Sequence, residues 1–64
     1  MKIVVSDYDT GEVYAEINEA TASQIAAYSS SEIISIQEEE CIVNSVFLEH
    51  ENQIINILVE KEKK

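Results

Sequence analysis

Apolar and polar residues alternate along the first eighteen positions, a pattern that predicts two β-strands joined by a turn. In a first strand over residues 2–8, Ile3 and Val5 fall on one face and Val4 on the other. Gly11, the only glycine, suits the left-handed position of the turn that follows. The second strand, over residues 12–18, is predicted to point Val13, Ala15 and Ile17 inward and Glu12, Tyr14 and Glu16 outward.

After position 20 the apolar residues take the spacing of a helix. Thr21 and Gln24 match the capping box, in which each side chain bonds the other residue's backbone N–H. The serines at 29–31 should end the helix, because their hydroxyls compete for backbone hydrogen bonds. The predicted helix is therefore short, and its inward face comprises Ala22, Ile25, Ala26 and Tyr28.

Strand-like patterns return in the last half of the chain. Residues 32–38 place Ile34 and Ile36 on one face, and the acidic run at 38–40 is expected to be an exposed loop. Residues 41–49 and 54–60 then form a second predicted hairpin, with the turn at 50–53.

The segment 42–59 also fits a single long helix, because six of its apolar residues and His50 would share one face. Seven of its eighteen residues, however, are Ile or Val, and a branched Cβ favours strands over helices. The hairpin is the preferred prediction. It is apolar on both faces, with Val43 and Phe47 assigned to one side and Ile42, Val46 and Leu48 to the other.

These elements predict an α+β fold in which a small antiparallel β-sheet, in the order β-β-α-β-β-β, carries one short helix packed on it. A single helix covers one face of a sheet, so the other face is expected to be covered by a second copy of the chain. The prediction is thus a homodimer with Ile42, Val46 and Leu48 at the contact. Residues 1–60 form one domain, and residues 61–64 a charged, frayed tail.

Charge narrows the range of partners. Thirteen acidic residues against four lysines give a net charge of −9, beyond the magnitude of about 2 to 8 that serves solubility in a small domain. This charge disfavours direct binding to nucleic acid and to anionic membranes, and favours a basic protein as partner. The single cysteine, Cys41, excludes an internal disulfide and points to a cytoplasmic location.

Residues that could do chemistry occur without the surroundings that chemistry needs. The segment Val4–Thr10 contains Asp7-Tyr8-Asp9 and resembles the first motif of haloacid dehalogenase-type phosphatases, but Gly11 stands where that family has threonine. A turn in which Asp7 or Asp9 caps backbone amides explains the same residues. His50 has no second histidine or nucleophile at motif spacing. We therefore expect no catalytic residue, no metal site and no cofactor.

The acids then become the candidate binding residues. Glu12 and Glu16, together with Glu38, Glu39 and Glu40, could form a row of negative charge that imitates a phosphate backbone. The expected function is a non-enzymatic inhibitor, encoded by a phage or mobile element. It would occlude the basic nucleic-acid-binding surface of a host defence protein such as a nuclease or helicase. The alternatives are a homo-oligomeric structural module whose acidity serves only solubility, and a regulator with a small ligand in a dimer cleft.

Overall fold

A computed structural model describes residues 1–61 of the chain, and within them five strands and one helix follow the predicted order. The predicted C-terminal hairpin is confirmed, and the alternative of one long helix over 42–59 is wrong. The elements are β1 (Lys2–Asp7), β2 (Val13–Ile17), α1 (Ala22–Ser30), β3 (Ile33–Ile36), β4 (Glu39–Glu49) and β5 (Ile54–Lys61).

The strands form one sheet in the order β2-β1-β5-β4-β3, and the sheet is mixed. Three neighbouring pairs are antiparallel, whereas β1 and β5 run parallel from Lys2 opposite Ile54 to Asp7 opposite Val59. The prediction of an antiparallel sheet is therefore wrong at this one junction. Local turns determine the direction of strands within each hairpin, but β1 and β5 are joined by no local turn, and only packing sets their direction.

The core lies between the sheet and α1. Because paired residues share a face of the sheet, the register assigns the buried side chains to one side, which we call the helix face. Ile25 and Tyr28 of α1, together with Ala20 just before it, pack against this core. The fully or nearly fully buried residues are Ile3, Val5, Ile34, Cys41, Ile55, Ile57 and Val59.

Both ends of α1 are set by side-chain hydrogen bonds, as predicted. The Gln24 amide donates to Thr21 Oγ1 at 3.1 Å, and the Thr21 amide donates to Gln24 Oε1 at 2.9 Å, which completes the capping box. At the other end the Ser30 and Ser31 hydroxyls donate to backbone carbonyls one turn earlier. A serine hydroxyl that occupies a helix carbonyl weakens the continuation of the ladder, so the helix stops there.

A bulge at Tyr14 changes which residues of β2 face the core. Val5 pairs with Ala15 and Ser6 pairs with Val13, so Tyr14 is the extra residue of β2. Val13 consequently shares the exposed side of Ser6 and is 52% exposed, whereas Tyr14 packs against the core. The prediction that Val13 points inward and Tyr14 outward is wrong, because an inserted residue breaks the period of two.

A second bulge, at Asn44, has the same effect on β4. Val43 pairs with Val59 and Ser45 with Leu58, so Asn44 is the extra residue. Beyond the bulge, Val46 pairs with Ile57, Phe47 with Asn56, and Leu48 with Ile55. Val46 and Leu48 therefore lie on the helix face with Val43, and Phe47 lies on the opposite face with Ile42. The predicted face assignment, and with it a single-face contact of Ile42, Val46 and Leu48, is wrong.

The acidic run and the C-terminal tail also differ from expectation. Gln37 and Glu38 make the turn with φ of 52° and 67°, and β4 already begins at Glu39, so Glu39 and Glu40 are strand residues and not part of a loop. Lys61 ends β5 opposite Cys41, where a tail was predicted. The rest of that tail, residues 62–64, lies outside the described residues.

Candidate protein-binding surface

The face of the sheet opposite α1, which we call the open face, has an apolar centre. Leu58 on β5 is the middle of this centre. Val4, Ile42 and Phe47 are its diagonal neighbours on β1 and β4, and Ile33 pairs directly with Ile42. Ile33, Ile42 and Phe47 are 55%, 48% and 50% exposed, and Val4 and Leu58 are half-buried. The open face is therefore an apolar surface that the helix does not cover.

Carboxylates surround this apolar centre. Within residues 1–61, the register places four glutamates and one lysine on the open face, where Lys2 bonds Glu16 at 2.8 Å. The four acids lie on strands β2, β4 and β5, so they flank the centre on more than one side. They are Glu16, Glu40, Glu49 and Glu60. An apolar patch with a charged rim has the arrangement of a protein-interaction surface.

The five acids predicted from the sequence do not form one row. Glu16 and Glu40 lie on the open face, but on β2 and β4, which are three strand spacings or about 14 Å apart. Glu39 lies on the helix face and bonds Lys61 at 3.3 Å. Glu12 is exposed in the loop before β2, and Glu38 is exposed in the turn before β4. The predicted set is thus split between the two sides of the sheet.

Two acids of the open face were missed by the sequence reasoning. Glu60 could have been found, because the strand predicted over residues 54–60 has a period of two, which places Glu60 on the same face as Leu58. Glu49 could not, because its face depends on the bulge at Asn44, and nothing in the alternation of apolar residues marks that position.

A small polar cluster ties the first hairpin to β5 at the end of the helix face. The Asp7 carboxylate accepts from the backbone N–H of Asp9 at 2.7 Å and of Thr10 at 3.3 Å, and also from the Tyr14 hydroxyl. The Lys61 ammonium lies 5.0 Å from the centroid of the Tyr14 ring. The predicted use of Asp7 as a turn cap is confirmed, and Gly11 has the expected left-handed φ of 78°.

This cluster shifts two pKa values in opposite directions. The Tyr14 hydrogen bond, followed by that of the Asp9 amide, lowers the pKa of Asp7 because both stabilise the carboxylate. The same bond raises the pKa of Tyr14 to about 12, since ionised Tyr14 would lose its proton donation to Asp7. Each partner therefore stays in its ordinary ionisation state at neutral pH, as befits a structural cluster.

The other candidate reactive groups are also accounted for by structure. Cys41 is fully buried in the core, and burial, more than the neighbouring Glu39, raises the pKa of its thiol. A thiol with a raised pKa is less often the reactive thiolate, so Cys41 is accounted for as a core residue. His50 is exposed in the turn between β4 and β5, where its carbonyl accepts from Gln53. Among residues 1–61, no three His, Cys, Asp or Glu side chains are placed to hold a metal ion.

An open groove of about 240 Å³ separates the end of α1 from β3. Its lining offers hydroxyls and apolar surface and no charged group, so it has nothing to fix a charged ligand. The groove is also formed within one chain, whereas the ligand-binding alternative required a cleft between two copies. Its lining residues are Ala27, Tyr28, Ser31, Ile33, Ile34 and Ser35.

No protein-family model matches the chain, and comparisons with curated proteins and with solved structures return no match either. In the part of the chain that the structure describes, no helix has the length and apolar character needed to cross a membrane.

Proposed function

We propose that this chain is a non-enzymatic binding protein of the cytoplasm whose open face docks on the basic, nucleic-acid-binding surface of another protein and blocks it. The observation that carries the proposal is the apolar centre of the open face with its rim of glutamates. A phage or mobile-element inhibitor of a host nuclease or helicase is the biological role that such a surface would suit. This is the same class of function that the charge of −9 indicates.

The apolar centre would supply affinity. Burying a whole Ile, Leu or Phe side chain contributes roughly 1.5 to 3 kcal/mol. Ile33, Ile42 and Phe47 each retain about half of their surface in solvent, so each could add on the order of 1 kcal/mol on docking. A partner must therefore offer apolar side chains between its basic groups, which distinguishes it from nucleic acid itself.

The acids would supply attraction and orientation. Within residues 1–61 the two lysines, Lys2 and Lys61, form ion pairs with Glu16 and Glu39. The other acids of the open face are therefore available to attract a basic partner; they are Glu40, Glu49 and Glu60. Complementary charge of this kind raises the association rate and falls with added salt. Of the other acids chosen from sequence, Glu16 lies on the open face and would contact the partner there. Glu12, Glu38 and Glu39 lie outside the open face and would add only to the long-range attraction.

The proposal includes a homodimer, but not one in which two open faces stack on each other. Each open face carries one lysine and four glutamates, Glu16, Glu40, Glu49 and Glu60. Stacking would bring two such negative faces together, and like charges across an interface cost several kcal/mol. The alternative function, a homo-oligomeric structural module, would need a contact elsewhere on the molecule.

The test compares two triple variants with the same change of charge. In the first, Glu40, Glu49 and Glu60 are replaced by Gln. In the matched control, Glu19, Glu32 and Glu51 are replaced by Gln, all three exposed and outside the strands. Immobilised wild-type chain is used to retain partners from a lysate of the producing or host cell, and the association rate is then measured with the purified partner.

We expect a retained nucleic-acid-binding protein that duplex DNA or RNA displaces. The open-face variant should associate about tenfold more slowly at low salt, and the control variant should stay near the wild-type rate. Replacing Glu38, Glu39 and Glu40 together, or Glu12 and Glu16 together, tests the acids chosen from sequence in the same assay. If the two triple variants lose rate equally, total charge and not the open face is responsible. If nucleic acid fails to displace the partner, blocking of its nucleic-acid site is excluded.

A further inference from the structure

Half of β4 has an unpaired edge. β3 pairs with β4 only from Glu39 to Ile42, and one further backbone bond joins the Val43 N–H to the Glu32 carbonyl at 2.8 Å. Beyond that point, from Asn44 to Glu49, no other strand of residues 1–61 lies on this side of β4. The backbone N–H and C=O groups on this side are therefore available to pair with another strand.

The same segment is apolar on both faces. Val46 and Leu48 lie on the helix face and are 39% and 53% exposed, while Phe47 lies on the open face and is 50% exposed. Edge strands that must stay single are usually protected by lysine, proline or an inward charge, and residues 44–48 contain none of these. In a chain with a net charge of −9, this uncharged edge is where two copies can approach with least repulsion.

We propose that this edge segment of β4 pairs antiparallel with the same segment of a second copy, about a twofold axis at Phe47. In this register Val46 lies opposite Leu48 of the second copy, and Phe47 opposite its own counterpart. Ser45, whose hydroxyl donates to Asn44 Oδ1 at 2.6 Å, then lies opposite Glu49 of the second copy. Apolar pairs meet at the centre and a polar pair at each end, the arrangement that cross-strand pairing favours.

Neighbouring registers are poorer. An axis at Leu48 would place Glu49 opposite Phe47, which leaves a carboxylate against an aromatic ring. An axis between Val46 and Phe47 would place Val46, on the helix face, opposite Phe47 of the second copy, which lies on its open face, and Ser45 opposite Leu48. The self-complementarity of one register favours a second copy over a strand from an unrelated protein.

The strand pairing does not depend on the proposed function, but it would decide where the two open faces lie relative to each other. A twofold axis perpendicular to the sheet would join two five-stranded sheets into one of ten strands, with both helices on one side. The two open faces would then lie side by side on the other side, with the acids of each copy still exposed. The apolar side chains Val46 and Leu48 of both copies would meet between the helices.

Sedimentation equilibrium provides the test, using the full chain and variants at the position on the twofold axis. The wild-type chain should be a dimer at about 100 µM, whereas F47E and F47K alone should be monomers because each opposes two like charges at the axis. An equal mixture of F47E and F47K should regain the dimer mass. V13E, at a residue of similar exposure on the other edge strand β2, should leave the dimer intact.

A cysteine at the axis gives a second measurement that needs no loss of folding. Residues opposite each other in an antiparallel pair have Cα atoms about 4.5 to 5.5 Å apart, within the range for a disulfide. F47C should therefore form a covalent dimer rapidly under mild oxidation, and V13C should not. A monomeric wild-type chain, a mixture of F47E and F47K that stays monomeric, or equal cross-linking of F47C and V13C would each overturn the proposal.

Discussion

Ile57 provides the most direct test of the sheet order. It is fully buried in the middle of β5, between β1 on one side and β4 on the other. Ile33, on the edge strand β3, is 55% exposed. The same substitution, Ile to Val, removes one methylene at each position, so the difference between the two variants measures burial alone.

The expected magnitudes follow from that burial. At Ile57 the lost methylene is worth about 0.8 kcal/mol of transfer free energy, and a small cavity raises the cost to about 1 kcal/mol. At Ile33 more than half of the side chain is already in solvent and the structure can relax, so the cost should be about 0.3 kcal/mol. A domain of 64 residues has a free energy of unfolding of roughly 3 to 10 kcal/mol, so both variants should stay folded.

Urea unfolding followed by circular dichroism would measure the difference, with all proteins at one concentration because the proposed dimer would contribute to stability. With an m-value of about 1 kcal/mol per molar urea, I57V should lower the midpoint by about 1 M and I33V by about 0.3 M. Equal shifts at the two positions would contradict the central placement of β5, and with it the parallel pairing of β1 and β5.

Three further predictions concern the polar cluster and the second bulge. Y14F should raise the pKa of Asp7 toward its ordinary value, measured from the carboxyl ¹³C shift, and an unchanged pKa would contradict the hydrogen bond. Because folding lowers the pKa of Asp7, the wild-type chain should lose the stability that Asp7 contributes as the pH falls below about 4. Because folding raises the pKa of Tyr14, the stability that Tyr14 contributes should be lost as the pH rises from 10 toward 12. Deleting Asn44 should leave the chain folded, because the pairing of β4 with β5 then continues without a bulge. Deleting Asn56 should unfold the chain, because the side chains in the rest of β5 would change faces. One-dimensional proton NMR would distinguish folded from unfolded variants, and unfolding by both deletions would show that the bulge is required.

The candidate site was only partly accessible from sequence. The acids were recognisable as an excess of charge, and Glu16 and Glu40 do lie on the open face. Their neighbour Leu58 comes from another strand and was brought there by the sheet order, and Phe47 shares their face only because of the bulge at Asn44. A binding surface that crosses strands depends on register, and register is a property of pairs of strands that one strand's pattern cannot report.

The sequence by itself determined the elements of this protein, because those depend on interactions within a few residues. The capping box at Thr21, the serines that end α1 and the turn at Gly11 are all local, and each was found where the pattern predicted it. Tertiary structure decided that β1 and β5 are neighbours and run parallel. It also decided where bulges interrupt the alternation of β2 and β4. Both are decided by packing between segments distant in the chain, where one inserted residue turns the remainder of a strand over.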